Sequence, residues 1–254
     1  MKAPVVMIGI GEMGGVFARG LLRMGHPVYP VLRDMDMRAE ARALPDPEAV
    51  LVTVAENDLH AVLNAIPEMW RDRLVLVQNE LLPRDWQTHG IKEPTVISVW
   101  FEKKSGQDFK VLIPSPVYGP HAALIASALQ MLNIPARILA SEDELLFELV
   151  RKNLYILTTN IAGLETCNTA GELWHKHKHL AEKVASEVMD IQDWLTGTRL
   201  DRATLIAGMM EAIEADPDHK CTGRSAPARL QRALKHADQA GLAAPKLHEI
   251  WTQA

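Results

Sequence analysis

The sequence predicts an α/β fold in its first half, a mostly parallel sheet with helices on both faces, followed by an all-helical region. Three observations predict it. Short β-rich runs alternate with helix-period runs from the first residues, which is how βα units read. A cluster of glycines, Gly9, Gly11, Gly14 and Gly15, stands between the first strand pattern and the first helix pattern. Beyond residue 141 no strand pattern recurs. The 254 residues suit one large domain or two modest ones, at roughly 100–200 residues each. The division is expected near residue 141, giving domains 1–141 and 142–254.

Each element has its own signal. Pro4 to Ile10 reads as a buried strand. Met13, Val16, Phe17, Gly20, Leu21 and Met24 share one face of a helix that Gly25 ends. Val28 to Leu32 and Val50 to Val54 are the next strands, and Leu59, Val62, Leu63 and Ile66 mark a helix after them. Leu74 to Val77, Thr95 to Phe101 and Phe109 to Ile113 read as strands, His121 to Leu132 as a helix, and Ala136 to Leu139 as a late strand. Ser141 and Glu144 then form a capping-box pattern. It opens a long helix through Leu145 to Ile161. Further helices are marked by Leu180, Val184, Val188, Ile191 and Leu195, by Leu205, Met209 and Ile213, and by Ala228 to Ala240 before Gly241. Residues 215–227 are polar and read as a loop, and Pro245 opens a short final helix.

Composition narrows the class of function. The chain is 48% hydrophobic and 23% charged, close to an ordinary globular protein. Lys plus Arg is 27 against 32 for Asp plus Glu, a net charge of −5, which does not favour nucleic-acid binding. No apolar run approaches the roughly 20 residues of a membrane helix, and no signal for export is expected at the N-terminus. Cys167 and Cys221 have no metal-type spacing and form no disulfide framework, so a cytoplasmic protein is expected.

Gly9-Ile10-Gly11-Glu12-Met13-Gly14 is a G-x-G-x-x-G pattern following a strand and opening a helix. The chemistry needs glycine there. The turn must be tight, the backbone must approach a pyrophosphate, and the helix must pack closely on the strand. The free N–H groups of the helix then face the anion. Gly9, Gly11, Glu12, Met13 and Gly14 are therefore candidate cofactor-binding residues, making this a Rossmann-type dinucleotide-binding domain. A plain tight βα turn is the competing explanation. At the end of the second strand a carboxylate would bind the ribose of NAD, and an arginine the 2′-phosphate of NADP. Both are present, as Arg33-Asp34. Arg33 comes first and can grip phosphate bidentately, which favours NADP(H).

The second informative stretch is Glu148 to Asn160. Lys152, Ile156 and Asn160 are spaced i, i+4, i+8 and share one helix face among largely apolar neighbours. Polar groups on a buried face need partners. A ligand site is one explanation. A lysine snorkelling to solvent beside a loop-bonded asparagine is the other.

With these residues in view, the chain resembles the ketopantoate reductase (2-dehydropantoate 2-reductase) family, among the 6-phosphogluconate-dehydrogenase-like two-domain reductases, as a divergent member. Val5 to Arg33, Leu74 to Asn79, Glu148 to Trp174 and Arg229 to Ile250 carry the resemblance. It implies an NADPH-dependent reductase of a small 2-keto acid. Lys152 falls on the family's catalytic lysine, Asn160 on a substrate-side asparagine, and Asn79 on an asparagine near both nicotinamide and substrate. Arg33 falls on the phosphate-binding arginine. Such reductases are often dimers.

The departures are specific. The family has Asn-Gly-x-Gly after the fourth strand, where this chain has Asn79-Glu80-Leu81-Leu82. Its second asparagine on the lysine helix is Ile156 here, and its lysine after the third strand falls near Ala55. Its substrate-gripping glutamate has no counterpart in Gly223-Arg224-Ser225-Ala226-Pro227. The chain is also shorter than a typical member. A non-catalytic NADP-binding protein, or a related reductase of a different carbonyl or imine, is therefore the alternative.

The remaining candidates are weak. His175 and His179 stand i, i+4, but interleaved lysines and the lack of further ligands argue against metal. Glu187 and Asp190 are given no role. Cys167 reads as a small buried residue, and Arg224 as a loop arginine that would favour an anionic substrate group if it faced a cleft.

Overall fold

The computed structural model describes residues 2–166, 169–223 and 225–253. Cys167 and Arg224 lie outside the described residues. The chain parts into two compact units, Met1–Glu148 and Leu149–Ala254.

In the first unit the strands are β1 (Val5–Ile8), β2 (Val28–Val31), β3 (Ala49–Val52), β4 (Leu74–Leu76), β5 (Thr95–Ile97), β6 (Phe101–Glu102), β7 (Lys110–Val111), β8 (Ser115–Tyr118) and β9 (Ala136–Ile138). The helices are α1 (Glu12–Arg23), α2 (Met37–Ala43), α3 (Leu59–Ala65), α4 (Pro83–Gln87) and α5 (Ala122–Gln130). Seven strands form one sheet in the order β2-β1-β3-β4-β5-β8-β9. The first five run parallel, Val5 pairing with Val28 on one side and Ala49 on the other. β8 is antiparallel to β5, and β9 parallel to β8.

Burial explains why β1 and β3 are unbroken apolar runs. All four residues of each are buried, so both faces of the sheet are covered. Val5, Met7, Leu51 and Ile97 pack with Phe17 and Leu21 of α1 and with Ile125 and Leu129 of α5. Val6, Val50, Leu74 and Leu76, which alternate with them, are equally inaccessible. Pro30 is tolerated because β2 is an edge strand.

Some expectations change. The run Thr95 to Phe101 divides into β5 and β6. Phe109 to Ile113 contributes only β7, which pairs with β6 in a separate two-stranded ribbon. Strand β8 carries Pro116 in an interior position, the residue that hides it in sequence. Helices α2 and α4 are short and lack a long apolar period. Ser141 accepts from Glu144 N–H at 3.2 Å, and the Glu144 carboxylate turns back to Ala140 N–H at 3.1 Å, one residue earlier than a capping box requires. Helix α6 (Glu142–Gly163) begins there, and the division into units falls within it, seven residues beyond the expected 141.

The second unit holds the rest of α6 with α7 (Ala170–Lys176), α8 (Lys178–Thr196), α9 (Arg202–Ala215), α10 (Ala226–Ala240) and α11 (Pro245–Gln253). Among the described residues its β structure is one isolated bridge, Thr169 with Lys220. Helix α8 buries Ala181, Val184, Val188 and Ile191 along one side. Asp201 caps α9 by accepting from Thr204 N–H at 2.8 Å. Glu187 receives the free N–H groups of Lys246 and Leu247 at 2.8 and 2.9 Å, so a residue without an expected role caps α11. Asp190 likewise pairs with Arg202 at 2.6 Å. Among the described residues no helix is long and apolar enough to cross a membrane.

Candidate active site

The glycine turn closes the C-terminal end of β1. Gly9 has φ +83°, the left-handed region, and a Cβ there would press on Val54 at 3.0 Å. Gly11 is the N-cap of α1, and a Cβ on it would meet no protein atom within 4 Å. A Cβ on Gly14 would lie 2.8 Å from Thr53 Oγ1 and 2.9 Å from the Gly9 carbonyl. The three positions thus divide the work. Gly9 supplies the turn, Gly14 lets helix and strand touch, and Gly11 leaves open space at the helix N-terminus. That is the arrangement a pyrophosphate needs.

The sheet edge around the turn is tied by side chains that sequence reading missed. Thr53 donates its hydroxyl to the Gly9 carbonyl. Gln78, buried after β4, donates to the Val52 carbonyl at 2.7 Å and the Val54 carbonyl at 3.2 Å. Its oxygen accepts from Val77 N–H at 3.1 Å. The ends of β1, β3 and β4 are thereby fixed to one another. Thr53 and Gln78 carry the only hint sequence offers, a polar residue directly after a buried strand.

Glu12 and Met13 open α1. Glu12 is exposed and lies 3.2 Å from Lys103 Nζ. Hydrogen bonds from Lys103 and Ser105 hold its carboxyl below the usual carboxylate range. Arg33 follows β2, is 91% exposed, and pairs with Asp58 at 3.0 Å. Asp34 is exposed beside it. Asn79 is half-buried in the turn after β4, and among the described residues its side chain makes no hydrogen bond. Glu80, in the place of the resemblance's glycine, has φ +58°. The left-handed turn is kept although the residue is not glycine. A cavity of about 390 Å³ lies at the opposite end of the strands, against Trp86, Pro94, Tyr118 and Leu139, away from the glycine turn.

In the second unit, Lys152 is 9% exposed and Ile156 beside it on the same face is also buried. The neighbouring residues anchor α6. Arg151 donates to the Gly208 carbonyl at 2.9 Å and pairs with Glu211 at 2.8 Å. Asn153 donates to Gln192 at 3.0 Å. Asn160 is half-buried, and its oxygen accepts from Arg229 of α10 at 2.7 Å. Arg229 is a cation at a candidate substrate residue, and only the folded chain brings the two together. Ser225, described where the resemblance has a glutamate region, is exposed. His175 lies on α7 and His179 on α8, so they do not share a helix. Among the described residues no group of three or more His, Cys, Asp or Glu is placed to hold a metal ion.

No protein-family model matches the sequence, and no curated protein matches it. Solved structures do match its fold. One is 2-dehydropantoate 2-reductase of Methylococcus capsulatus, at TM-score 0.70 and 12% identity over 98% of this chain and 95% of that one. Another is D-mandelate dehydrogenase with NADH and anilino(oxo)acetate, at TM-score 0.65 and 14% identity over 98% and 96%. A dimeric ketopantoate reductase of Staphylococcus aureus matches at TM-score 0.64 and 15% identity, again over 98% and 96%. At such identities the likeness is one of fold, and it extends over nearly the whole chain: an α/β unit followed by helices, as in the ketopantoate reductases.

Proposed function

We propose that the protein is an NADP(H)-dependent reductase of a small 2-keto acid, with Lys152 as the acid. The observation that carries this reading is the glycine turn, open at Gly11 and closed at Gly14, in a chain that also buries a lysine on the helix face it shares with Asn160. The fold it shares with ketopantoate reductases, and with a mandelate dehydrogenase whose structure holds NADH, supports a nicotinamide cofactor. The backbone N–H groups from Gly11 to Met13 would hold the pyrophosphate, and Arg33 would exchange Asp58 for the 2′-phosphate.

The cofactor, when bound, supplies a hydride to the carbonyl carbon. The new C–H bond pushes the C=O π pair onto oxygen. Lys152 stabilises that developing charge and gives the oxygen its proton. A lysine ammonium is the side chain suited to both tasks. It is reprotonated from solvent after release. Asn79 and Asn160 orient the substrate by neutral hydrogen bonds. A cytoplasmic homodimer fits the reading, since one of the matching reductases is dimeric and cysteines are few.

Turnover of a panel of 2-keto acids with NADPH, in the native protein and in Lys152→Ala, tests it. Loss of about a hundredfold or more in the variant is expected. A variant as active as the native protein removes Lys152 from the chemistry. One observation favours a second reading. Ile156 and Ser225 leave two of the resemblance's polar contacts unmade. Tight NADPH binding with no turnover of any 2-keto acid, other carbonyl or imine would make this a non-catalytic NADP-binding protein.

A further inference from the structure

The ribbon of β6 and β7 stands apart from the main sheet, and its tip reaches the glycine turn. Glu12 occupies the first helical position of α1. A carboxylate suits a helix N-terminus, but it stands where a pyrophosphate is expected and repels it. The turn between β6 and β7 supplies the opposite charge. Lys103 Nζ lies 3.2 Å from Glu12, with the lysine side chain only 18% exposed. The ammonium also donates to the Lys104 carbonyl at 2.9 Å and to the Gln107 carbonyl. Its three donors are thus all engaged, and the charge is fixed in place.

The rest of the ribbon is held on the same helix. Arg19 pairs with Asp108 at 3.5 Å and lies 5.3 Å from the Phe109 ring centre. The rings of Phe17 and Phe101 are 6.0 Å apart. Lys104, by contrast, is 62% exposed and pairs with Glu102 at 3.0 Å. Of the two adjacent lysines, only Lys103 is turned to the glycine turn.

We infer that Lys103 is a positioning residue for the dinucleotide: it cancels the Glu12 charge at the glycine turn, holds the 103–107 tip on the first turn of α1, and so sets affinity for the cofactor's pyrophosphate. The inference rests on the dinucleotide reading of that turn. Without Lys103, the Glu12 carboxylate both repels the phosphates and is free to take the N–H groups they need. Without Glu12, Lys103 is left as net attraction.

Calorimetric titration of NADPH into the native protein, Lys103→Met, Glu12→Gln and the double variant tests this. For one surface charge about a helical turn from a bound phosphate, Lys103→Met is expected to weaken binding about tenfold. Glu12→Gln tightens it, the double variant returns to within about threefold of native, and the effects shrink at high salt. Lys103→Arg, which keeps the charge, binds as the native protein does and covers the case in which Lys103→Met melts early. Lys104→Met has no effect. Native-like binding by a folded Lys103→Met overturns the inference. So does a double variant as weak as Lys103→Met, which would mean a direct lysine–phosphate contact instead of charge cancellation. A native protein that binds neither NADPH nor NADH removes the dinucleotide reading itself, and this inference with it.

Discussion

Arg229 donates to the Asn160 carboxamide oxygen at 2.7 Å across 69 residues of sequence. Arginine has donors only, so the pair fixes which way the asparagine amide points. The oxygen faces Arg229, and the nitrogen lies 3.5 Å from Thr159 Oγ1. Asn160 is therefore presented as a donor, the form suited to a substrate oxygen. Arg229→Met is expected to destabilise the fold by about 1 kcal/mol, the scale of one partly exposed hydrogen bond to a charged group. It should also raise KM for the keto acid more than it lowers kcat, because the amide loses its orientation and Lys152 is untouched. Urea unfolding and steady-state kinetics measure the two effects. An unchanged KM would separate Asn160 from substrate binding.

Three glycines of the turn should respond differently to alanine. Gly14→Ala drives a methyl into Thr53 Oγ1 and the Gly9 carbonyl, so a loss of about 1–3 kcal/mol is expected, together with loss of dinucleotide binding. Gly11→Ala meets no protein atom, so its stability should fall only by the roughly 0.5–1 kcal/mol that alanine costs at an N-cap, and it should still lose NADPH, because the methyl fills the space proposed for phosphate. Gly15→Ala also meets nothing, but within a helix, and should stabilise by up to about 1 kcal/mol. Thermal melts paired with NADPH titration distinguish the three. A Gly11→Ala protein that binds NADPH normally would contradict the proposed cradle.

Glu80 holds a left-handed backbone, φ +58°, in the turn directly after Asn79. A side chain with a Cβ is strained there by about 1 kcal/mol or more. Glu80→Ala and Glu80→Gly both delete the carboxylate, and only glycine relieves the backbone. Glu80→Gly is therefore expected to be more stable than Glu80→Ala by about 1 kcal/mol, less what glycine adds to the freedom of the unfolded chain. Chemical unfolding of the two variants measures the difference. Equal stabilities would mean that the turn relaxes when the side chain is removed.

The first unit also carries an acid-sensitive pair. His89 Nε2 lies 2.9 Å from His60 Nδ1, and Asn64 Oδ1 is 2.8 Å from the other His89 nitrogen. Burial, then the charges of His60 and Arg71, lower the His89 pKa from its ordinary 6.5. Burial lowers that of His121 as well. Between the lowered folded value and 6.5, the unfolded chain binds more protons than the folded one. Stability is therefore full above pH 6.5 and falls as pH drops through it toward the folded value. Tm followed from about pH 8 to about pH 5 should decline on the acid side. In His89→Gln the decline should be shallower, with the His121 share remaining. An identical slope would remove His89 as its cause.

The sheet was legible because its strands are buried on both faces. Val5 to Ile8 and Ala49 to Val52 are apolar without interruption, which only a covered parallel sheet requires. Gly9 and Gly14 were legible because each answers a backbone demand that a side chain cannot meet, and Gly11 because it completes the G-x-G-x-x-G spacing. Strand β8 was not, since Pro116 reads against an interior strand and nothing local announces an antiparallel partner. The unforeseen polar contacts share one cause. Lys103 meets Glu12, and Arg229 meets Asn160, across long stretches of chain, and no spacing rule within one element reaches that far. Lys152 and Asn160 could be placed on one helix face by period alone. What partners that face could not.

In the proposed function, cofactor choice turns on Arg33 and Asp58. The guanidinium is 91% exposed and lies 3.0 Å from the carboxylate, which offers it an internal anion in the place of a 2′-phosphate. NADPH bound as proposed would compete with Asp58 for Arg33, and NADH, lacking that phosphate, would not. Arg33→Ala should lower the preference for NADPH over NADH about tenfold or more, since a charge-assisted contact of about 1.5–3 kcal/mol is lost with one cofactor only. Asp58→Asn should tighten NADPH severalfold and leave NADH nearly unchanged, as expected when one partner of an exposed ion pair worth about 0.2–1 kcal/mol is neutralised. Parallel titrations of both cofactors into both variants give the ratio directly. A native protein that prefers NADH, with Arg33→Ala unchanged, would move the choice to Asp34 and make the Arg33–Asp58 pair an ordinary surface contact.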